Sequence, residues 1–138
     1  MPYTEEVNEG SKIDVHFTMD KQTHVTGIIN QSIEFTNHSD EPIVNGLVKV
    51  YIPQGCSVVE ESLSRLEHQG LIEKYEYNYN TINLYIKNIG RTSTVSTLNI
   101  TYRALYPERI TGGAVDVYDY YNPEVRGVAR PVELTITQ

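Results

Sequence analysis

VNGLVKVYIPQGCSVVEESLSRLEHQG, residues 44–70, contains two different hydrophobic periods. In its first half the apolar residues Val44, Val48, Val50 and Ile52 fall on one parity, which is the pattern of a half-buried strand. A Pro-Gln-Gly sequence then ends the run. The first half of the stretch therefore predicts a β-strand.

The second half of the stretch has helical spacing. Apolar residues recur at i, i+4 and i+7, which places them on one face of a helix. These residues are Val59, Leu63 and Leu66. Ser57 and Glu60 have the spacing of a capping box, and Gly70 is a typical C-terminal stop. We predict one short α-helix around residues 57–69.

Period-2 alternation recurs on both sides of this stretch and predicts further strands. With the strand above, the set is 12–19, 25–36, 44–52, 72–79, 81–87, 95–106, 114–121 and 132–136. Seven or eight strands with a single helix are typical of an antiparallel β-sandwich, so we predict an all-β fold. Residues 1–10 are polar and unpatterned, and we interpret them as a flexible N-terminal linker before one domain at residues 11–138.

Composition argues against several classes of partner. The chain has 138 residues and a net charge of -7, so it would not displace counterions from a nucleic acid backbone. Its apolar runs are about five residues or fewer, against the roughly 20 of a bilayer-spanning helix, and we predict no membrane insertion. Cys56 is the only cysteine of the sequence, so an internal disulfide is impossible.

The sequence has no recognisable catalytic or metal-binding motif. The histidines have no metal-ligand spacing, and Asp116, Asp119 and Glu124 lack the spacing of a calcium loop. Cys56 lies between a strand-ending glycine and the predicted helix, and we interpret it as a small buried residue rather than a nucleophile. We predict that the domain is not an enzyme and binds no cofactor or metal.

Tyrosine is unusually frequent, with 11 Tyr against 2 Phe and no Trp. Val115 and Val117 have the opposite parity to Tyr118 and Tyr120, so the tyrosines point outward if the valines point inward. Tyr75, Tyr77 and Tyr79 also share one parity. Outward tyrosines can cover a sheet, anchor a protein contact or stack on a sugar, and the pattern alone leaves the three open.

Three segments carry a family resemblance. They are GLVKVYIPQG at 46–55, LSRLEHQGLIEKYE at 63–76 and VDVYDYYNPE at 115–124. In this order they resemble the receptor-binding domain of α-macroglobulins and related complement thioester proteins. The third segment is the most specific, and its Tyr-Asn-Pro-Glu end is similar to bacterial or otherwise divergent members. The resemblance covers about residues 12–137.

This resemblance implies an antiparallel β-sandwich with one helix, placed in a much larger extracellular, cell-surface or periplasmic protein. Such proteins trap proteases or mark targets, often through a thioester in a different domain. It implies that a tyrosine-rich segment contacts other domains of the same parent, including a thioester-bearing one if present, and that protease contact is indirect. The candidate contact residues are Tyr118, Asp119, Tyr120 and Tyr121.

The resemblance also bears on receptor recognition. Two lysines that vertebrate members use for an endocytic receptor fall at Glu60 and Ser64 here, so the lysine pair is not retained. We interpret the chain as a non-catalytic interaction domain that packs against and shields neighbouring domains of an α-macroglobulin-like protein. The alternative is a free-standing adhesion or carbohydrate-binding module that uses its tyrosine faces.

Overall fold

The computed structural model describes residues 11–138, and the predicted linker at 1–10 lies outside the described residues. The described part has twelve strands and one helix. The strands are β1 (Ile13–Met19), β2 (Gln22–His24), β3 (Ile28–Asn37), β4 (Ile43–Tyr51), β5 (Cys56–Val58), β6 (Lys74–Tyr77), β7 (Thr81–Ile89), β8 (Thr94–Ala104), β9 (Glu108–Gly112), β10 (Val115–Asp119), β11 (Asn122–Ala129) and β12 (Val132–Thr137), and the helix is α1 (Glu60–His68).

The strands form three sheets. Their orders are β1-β3-β8-β5, β11-β10-β4-β7-β6 and β2-β12-β9. Neighbouring strands are antiparallel except β2 and β12, which are parallel. The predicted all-β antiparallel sandwich with one helix is confirmed.

The predicted number of strands is too low, because β2, β5, β9 and β11 were not predicted. β2 and β5 have three residues each, too few to show alternation. β11 begins with Asn122 and Pro123, which the sequence suggests as a turn. Proline is tolerated there because β11 is an edge strand and its missing N–H is not needed by a neighbour.

The core lies between the four-stranded and five-stranded sheets. Alternate residues of their strands are fully buried, as the parity of the sequence predicts. They include Ile29, Ile33, Phe35, Val48, Val50, Leu84, Val115 and Val117. Val44 is an exception, since it is 56% exposed while Ile43 is buried. Gly46 has no side chain, and a Cβ there would lie 2.7 Å from Ile89 Cδ1, so this space is used by other side chains.

A buried polar network crosses the core. The Tyr102 hydroxyl donates to Gln31 Oε1, and Gln31 Nε2 donates to the carbonyl oxygen of Gly113 at 2.8 Å. Burial raises the pKa of Tyr102 far above its ordinary value. Because the buried amide of Gln31 is bonded at both ends, it fixes β3 and β8 against the turn that precedes β10.

Helix α1 begins at Glu60, later than the capping box predicts. Ser57 belongs to β5, and the N-cap Val59 has no side-chain capping bond. The capping-box prediction is therefore wrong, because β5 continues past Ser57 and the Glu60 carboxylate bonds to tyrosines. Val59 is only half-buried, whereas Leu63 and Leu66 are buried as predicted.

The helix ends as its glycine predicts. Gly70 has φ of +74°, its N–H donates to the carbonyl of Glu67, and the N–H of Leu71 donates to the carbonyl of Leu66, both at 3.0 Å. This pair of bonds is a Schellman motif, which requires the left-handed conformation that glycine adopts without strain.

Candidate functional site

The outward side of the five-stranded sheet carries a row of large side chains. Strand pairing aligns residues from β11 to β6 in one row, and residues paired across strands point to the same side of a sheet. The row is Arg126, Tyr118, Leu47, Tyr85 and Lys74. It points away from the core because Val117 and Val48, one position along, are buried. We call this surface, together with Tyr51, Tyr120 and Tyr121, the tyrosine face.

Leu47 forms an apolar centre for the tyrosine face. It has the opposite parity to the core residue Val48, yet it is only 4% exposed. In the row it lies between Tyr118 and Tyr85, which are both half-buried. A buried leucine on the outward side means that neighbouring side chains cover it, so the half-buried tyrosines are held in place by packing.

Cations stand over several rings of this face. The Arg126 guanidinium carbon lies 4.8 Å from the Tyr118 ring centroid, and Lys74 Nζ lies 4.7 Å from that of Tyr85. Asp116 holds Arg126 through two hydrogen bonds of 2.9 and 3.0 Å, and the first cause of the raised Arg126 pKa is this bonding. These cation–π contacts stabilise one orientation of each ring.

Tyr85 is fixed by its hydroxyl as well as by its ring. The hydroxyl donates to Glu76 Oε1 at 2.7 Å, and this bond, followed by burial and the charge of Glu76, raises the pKa of Tyr85 to about 12. Tyr118 and Tyr120 add smaller contributions to that pKa, because both lie close to Tyr85.

The tip of the β10–β11 hairpin is formed by Tyr120 and Tyr121, since Asp119 pairs with Asn122. The predicted strand at 114–121 is therefore too long at its end. Backbone N–H groups fix the tip: that of Tyr121 donates to Asp119 Oδ1 at 3.1 Å, and that of Tyr120 donates to the carbonyl of Asn45 at 2.8 Å.

The two tip tyrosines are the most accessible part of the face. Their rings meet edge to face at 5.3 Å, and they are 53% and 78% exposed. The structure thus places Tyr118, Tyr120 and Tyr121 on one surface. Asp119 has a different role, because its carboxylate accepts the hydrogen bond that fixes the turn.

A cleft of about 280 Å³ lies between the hairpin tip and strands β6 and β7. Tyr120 and Tyr121 line one side, and Tyr85, Lys74 and Lys87 line the other. Lys87 Nζ lies 3.4 Å from Glu73 Oε1, while Lys74 has no ion-pair partner among residues 11–138. The cleft therefore combines aromatic walls with two ammonium groups.

Glu60 and Ser64, the positions of the receptor lysines in the resemblance, lie on α1 in different settings. The Glu60 carboxylate accepts hydrogen bonds from the Tyr75 and Tyr77 hydroxyls at 2.9 and 3.0 Å. These bonds are the first cause of the raised pKa of both tyrosines. Glu60 thus bonds the helix to the edge strand β6, and Ser64 is half-buried.

The other candidate groups offer no chemistry of their own in the structure. Cys56 is buried, and burial, followed by the charge of Glu108, raises the pKa of its thiol to about 11. Over residues 11–138 no cluster of three metal-ligating side chains is present. In the same part of the chain no helix is long and apolar enough to cross a membrane.

Sequence reasoning found the hairpin tyrosines but missed Leu47, Tyr85, Lys74 and Arg126 as members of the same surface. Each lies on a different strand, and only the pairing register brings them together. The one signal in the sequence was Leu47, an apolar residue on the polar parity of β4.

Comparison with known proteins agrees with this architecture. A family model described as the A-macroglobulin receptor binding domain matches residues 45–130. Elastase-activated Escherichia coli alpha-2-macroglobulin is similar in structure, with a TM-score of 0.74 and 12% identity over 93% of this chain and 13% of that chain. Native alpha-2-macroglobulin from Escherichia coli, from domain MG7 to the C-terminus, gives a TM-score of 0.75 and 13% identity over 93% of this chain and 24% of that chain.

A third similar structure is trypsin-activated Escherichia coli alpha-2-macroglobulin, with a TM-score of 0.74 and 14% identity over 93% of this chain and 10% of that chain. No curated protein sequence matches the chain. The structural similarity shows the fold alone, and this chain spans a quarter or less of each of these longer chains. The family model covers more than half of the sequence, and the chain therefore belongs to the α-macroglobulin receptor-binding domain family.

Proposed function

We propose that this chain is a non-catalytic docking domain of an α-macroglobulin-like protein, and that the tyrosine face holds a neighbouring domain of the same parent. The observation that carries the proposal is the hairpin tip. Tyr120 and Tyr121 are exposed, but the backbone beneath them is fixed by Asp119 and Asn45. Fixed aromatic side chains on a surface lose little conformational freedom when a partner covers them.

Protein contact fits this face better than sugar stacking. A sugar needs a free ring face, and on this surface Arg126, Lys74 and Lys49 stand over the rings of three tyrosines. The hydroxyls of Tyr75 and Tyr77 are engaged by Glu60. These contacts favour the docking domain over a carbohydrate-binding module.

The similar bacterial structures are much longer chains, which supports a place among other domains. Interfaces between domains of one chain typically bury about 600–1,500 Å², and a few tyrosine anchors can decide whether such an interface stays closed. In a parent that carries a thioester, this contact would shield the bond from water, and a protease would affect it only indirectly. We place the parent outside the cytoplasm, in the periplasm, at the cell surface or in the medium.

The test is a double substitution, Tyr118→Ala with Tyr120→Ala, in a thioester-bearing parent. We expect spontaneous thiol release or domain opening to accelerate severalfold while the isolated domain stays folded, because each tyrosine anchor contributes about 2 kcal/mol. The matched control is Tyr79→Ala with Tyr106→Ala, two exposed tyrosines away from the tyrosine face, and it should leave the rate unchanged.

Tyr118 also packs on the face, so a second pair, Tyr120→Ala with Tyr121→Ala, separates docking from folding. An unchanged release rate for this folded pair would refute the proposal. Unfolding of the isolated domain by the Tyr118 pair would show instead that Tyr118 belongs to the fold.

A further inference from the structure

The cleft beside the hairpin tip has a charge opposite to that of the whole domain. Its lining includes Lys74 and Lys87 with Glu73 as the one carboxylate, whereas the sequence carries -7 overall. Glu76 lies nearby, but its carboxylate accepts the hydrogen bond from Tyr85. The cleft is therefore a local positive site, and part of that charge, on Lys74, has no ion-pair partner in the described chain.

The size and walls of the cleft suit one or two side chains rather than a whole element. Its volume is about 280 Å³, and its walls are the rings of Tyr85, Tyr120 and Tyr121. Both tip tyrosines are anchored through the backbone, so that wall is formed before a partner arrives. A preformed cleft with aromatic walls and ammonium groups matches an extended segment that carries carboxylates.

We propose that this cleft binds an acidic segment of the neighbouring domain, with its carboxylates between Lys74 and Lys87 and its aliphatic stems against the tip tyrosines. The proposal rests on the proposed function and names the chemistry of the partner. Cations at the edge of an aromatic contact set the orientation of docking and exclude partners of the wrong charge.

The position of the cleft supports a partner from the same chain. Ile13, at the start of β1, lies against Gly127, whereas Met19, at its end, lies against Gly113. Gly127 pairs with Val117, three residues before the hairpin tip, so β1 begins at the tip end of the sandwich. A domain joined ahead of β1 is held close to the cleft, and this tethering raises its effective concentration there.

Nuclear magnetic resonance titrations of the 138-residue protein with short peptides test the proposal. The probe is acetyl-Tyr-Glu-Glu-amide, and the matched peptides carry two glutamines or two lysines in place of the glutamates. We expect the glutamate peptide to shift resonances of Lys74, Lys87, Tyr120 and Tyr121. It should bind about fivefold or more tightly than the glutamine peptide, and the difference should shrink at high salt.

The variant Lys74→Gln with Lys87→Gln should remove the preference for glutamate. The control Lys21→Gln with Lys49→Gln makes the same charge change outside the cleft and should retain it. Equal binding of the glutamate and glutamine peptides, shifts at other surfaces, or no shifts up to about 10 mM peptide would each overturn the proposal. None of these results alters the tyrosine test in the parent protein, so the two proposals can fail separately.

Discussion

Two serines of α1 show how strongly a single residue depends on its surroundings. The buried Ser62 hydroxyl donates to the carbonyl of Val59 at 2.7 Å and accepts from the N–H of Thr101 at 3.1 Å. It completes the free edge of β8 where β5 has ended. Ser64, two residues on, is half-buried.

We expect Ser62→Ala to destabilise the domain by about 1–3 kcal/mol, because the Thr101 N–H loses its acceptor in a site that water does not reach. Ser64→Ala should change the free energy of unfolding by no more than about 0.5 kcal/mol. Urea titrations of both variants measure the two values. Similar losses at the two positions would show that the serine at 62 is not the acceptor that β8 needs.

The direction of individual side chains was largely predictable where parity is regular. Val115, Val117, Leu63 and Leu66 are buried as their spacing predicts. Leu47 was not predictable, because its burial comes from tyrosines on β10 and β7 rather than from the core. Sequence spacing fixes which side of a strand a residue occupies, but not what covers that side.

At the scale of elements, the contact between α1 and β6 closes the open side of the sandwich. Tyr75 and Tyr77 pair with the core residues Leu84 and Ile82, so they point to the inner side of the sheet. They reach past the sheet edge to Glu60, with their rings stacked at 6.3 Å. This contact explains why a tyrosine pair that could suggest a sugar platform has its hydroxyls engaged.

The bonds to Glu60 predict a loss of stability in alkali. They raise the pKa of Tyr75 and Tyr77 above the ordinary value of about 10, because the carboxylate accepts from the protonated phenol. Their contribution is fully present below pH 10 or so and is lost as pH rises through the raised pKa values. Unfolding free energies between pH 7 and 11 should therefore fall above about pH 10.

Tyr75→Phe with Tyr77→Phe should reduce that fall, since the variant lacks the phenols that titrate. Tyr85 and Tyr102, whose pKa values are also raised, remain in both proteins and do not affect the difference. Tyr79→Phe, at a position that is 85% exposed, is the matched control and should behave as the parent chain. An alkaline fall that is identical in the double variant would contradict the role of Glu60.

The bounds of elements were harder to predict than their existence. The helix and its glycine stop follow from spacing, but its start does not, because β5 pairs with β8 and occupies residues that the capping box assigned to the helix. The short strands exist through long-range pairing, which leaves no periodic signal in three residues.

At the scale of the whole molecule, the charge of the domain and the bonds of Glu60 both bear on receptor binding. We expect the isolated domain to have no appreciable affinity for an acidic lipoprotein-receptor module at physiological salt. Glu60 and Ser64 replace the lysine pair, and the net charge of -7 adds repulsion. Surface plasmon resonance measures this directly, and tight binding that survives Glu60→Ala would show recognition through another surface.

The fold class and the family were accessible from the sequence, because alternation and the hairpin segment are local features. The tyrosine face and its cleft were not, since they require the register of five strands that are distant in sequence. A hairpin sequence alone indicates exposed tyrosines, and only the neighbouring strands supply the cations around them.

One close approach has a consequence for how copies of this domain behave in solution. A Cβ on Gly127 would overlap the carbonyl oxygen of Ile13, so β1 lies directly against the edge strand β11. Unpaired edges of sheets invite pairing between molecules, and here one sheet edge covers another. A larger residue at 127 would push β1 away and expose the ladder groups of β11, which would favour edge-to-edge aggregation of an otherwise intact sandwich.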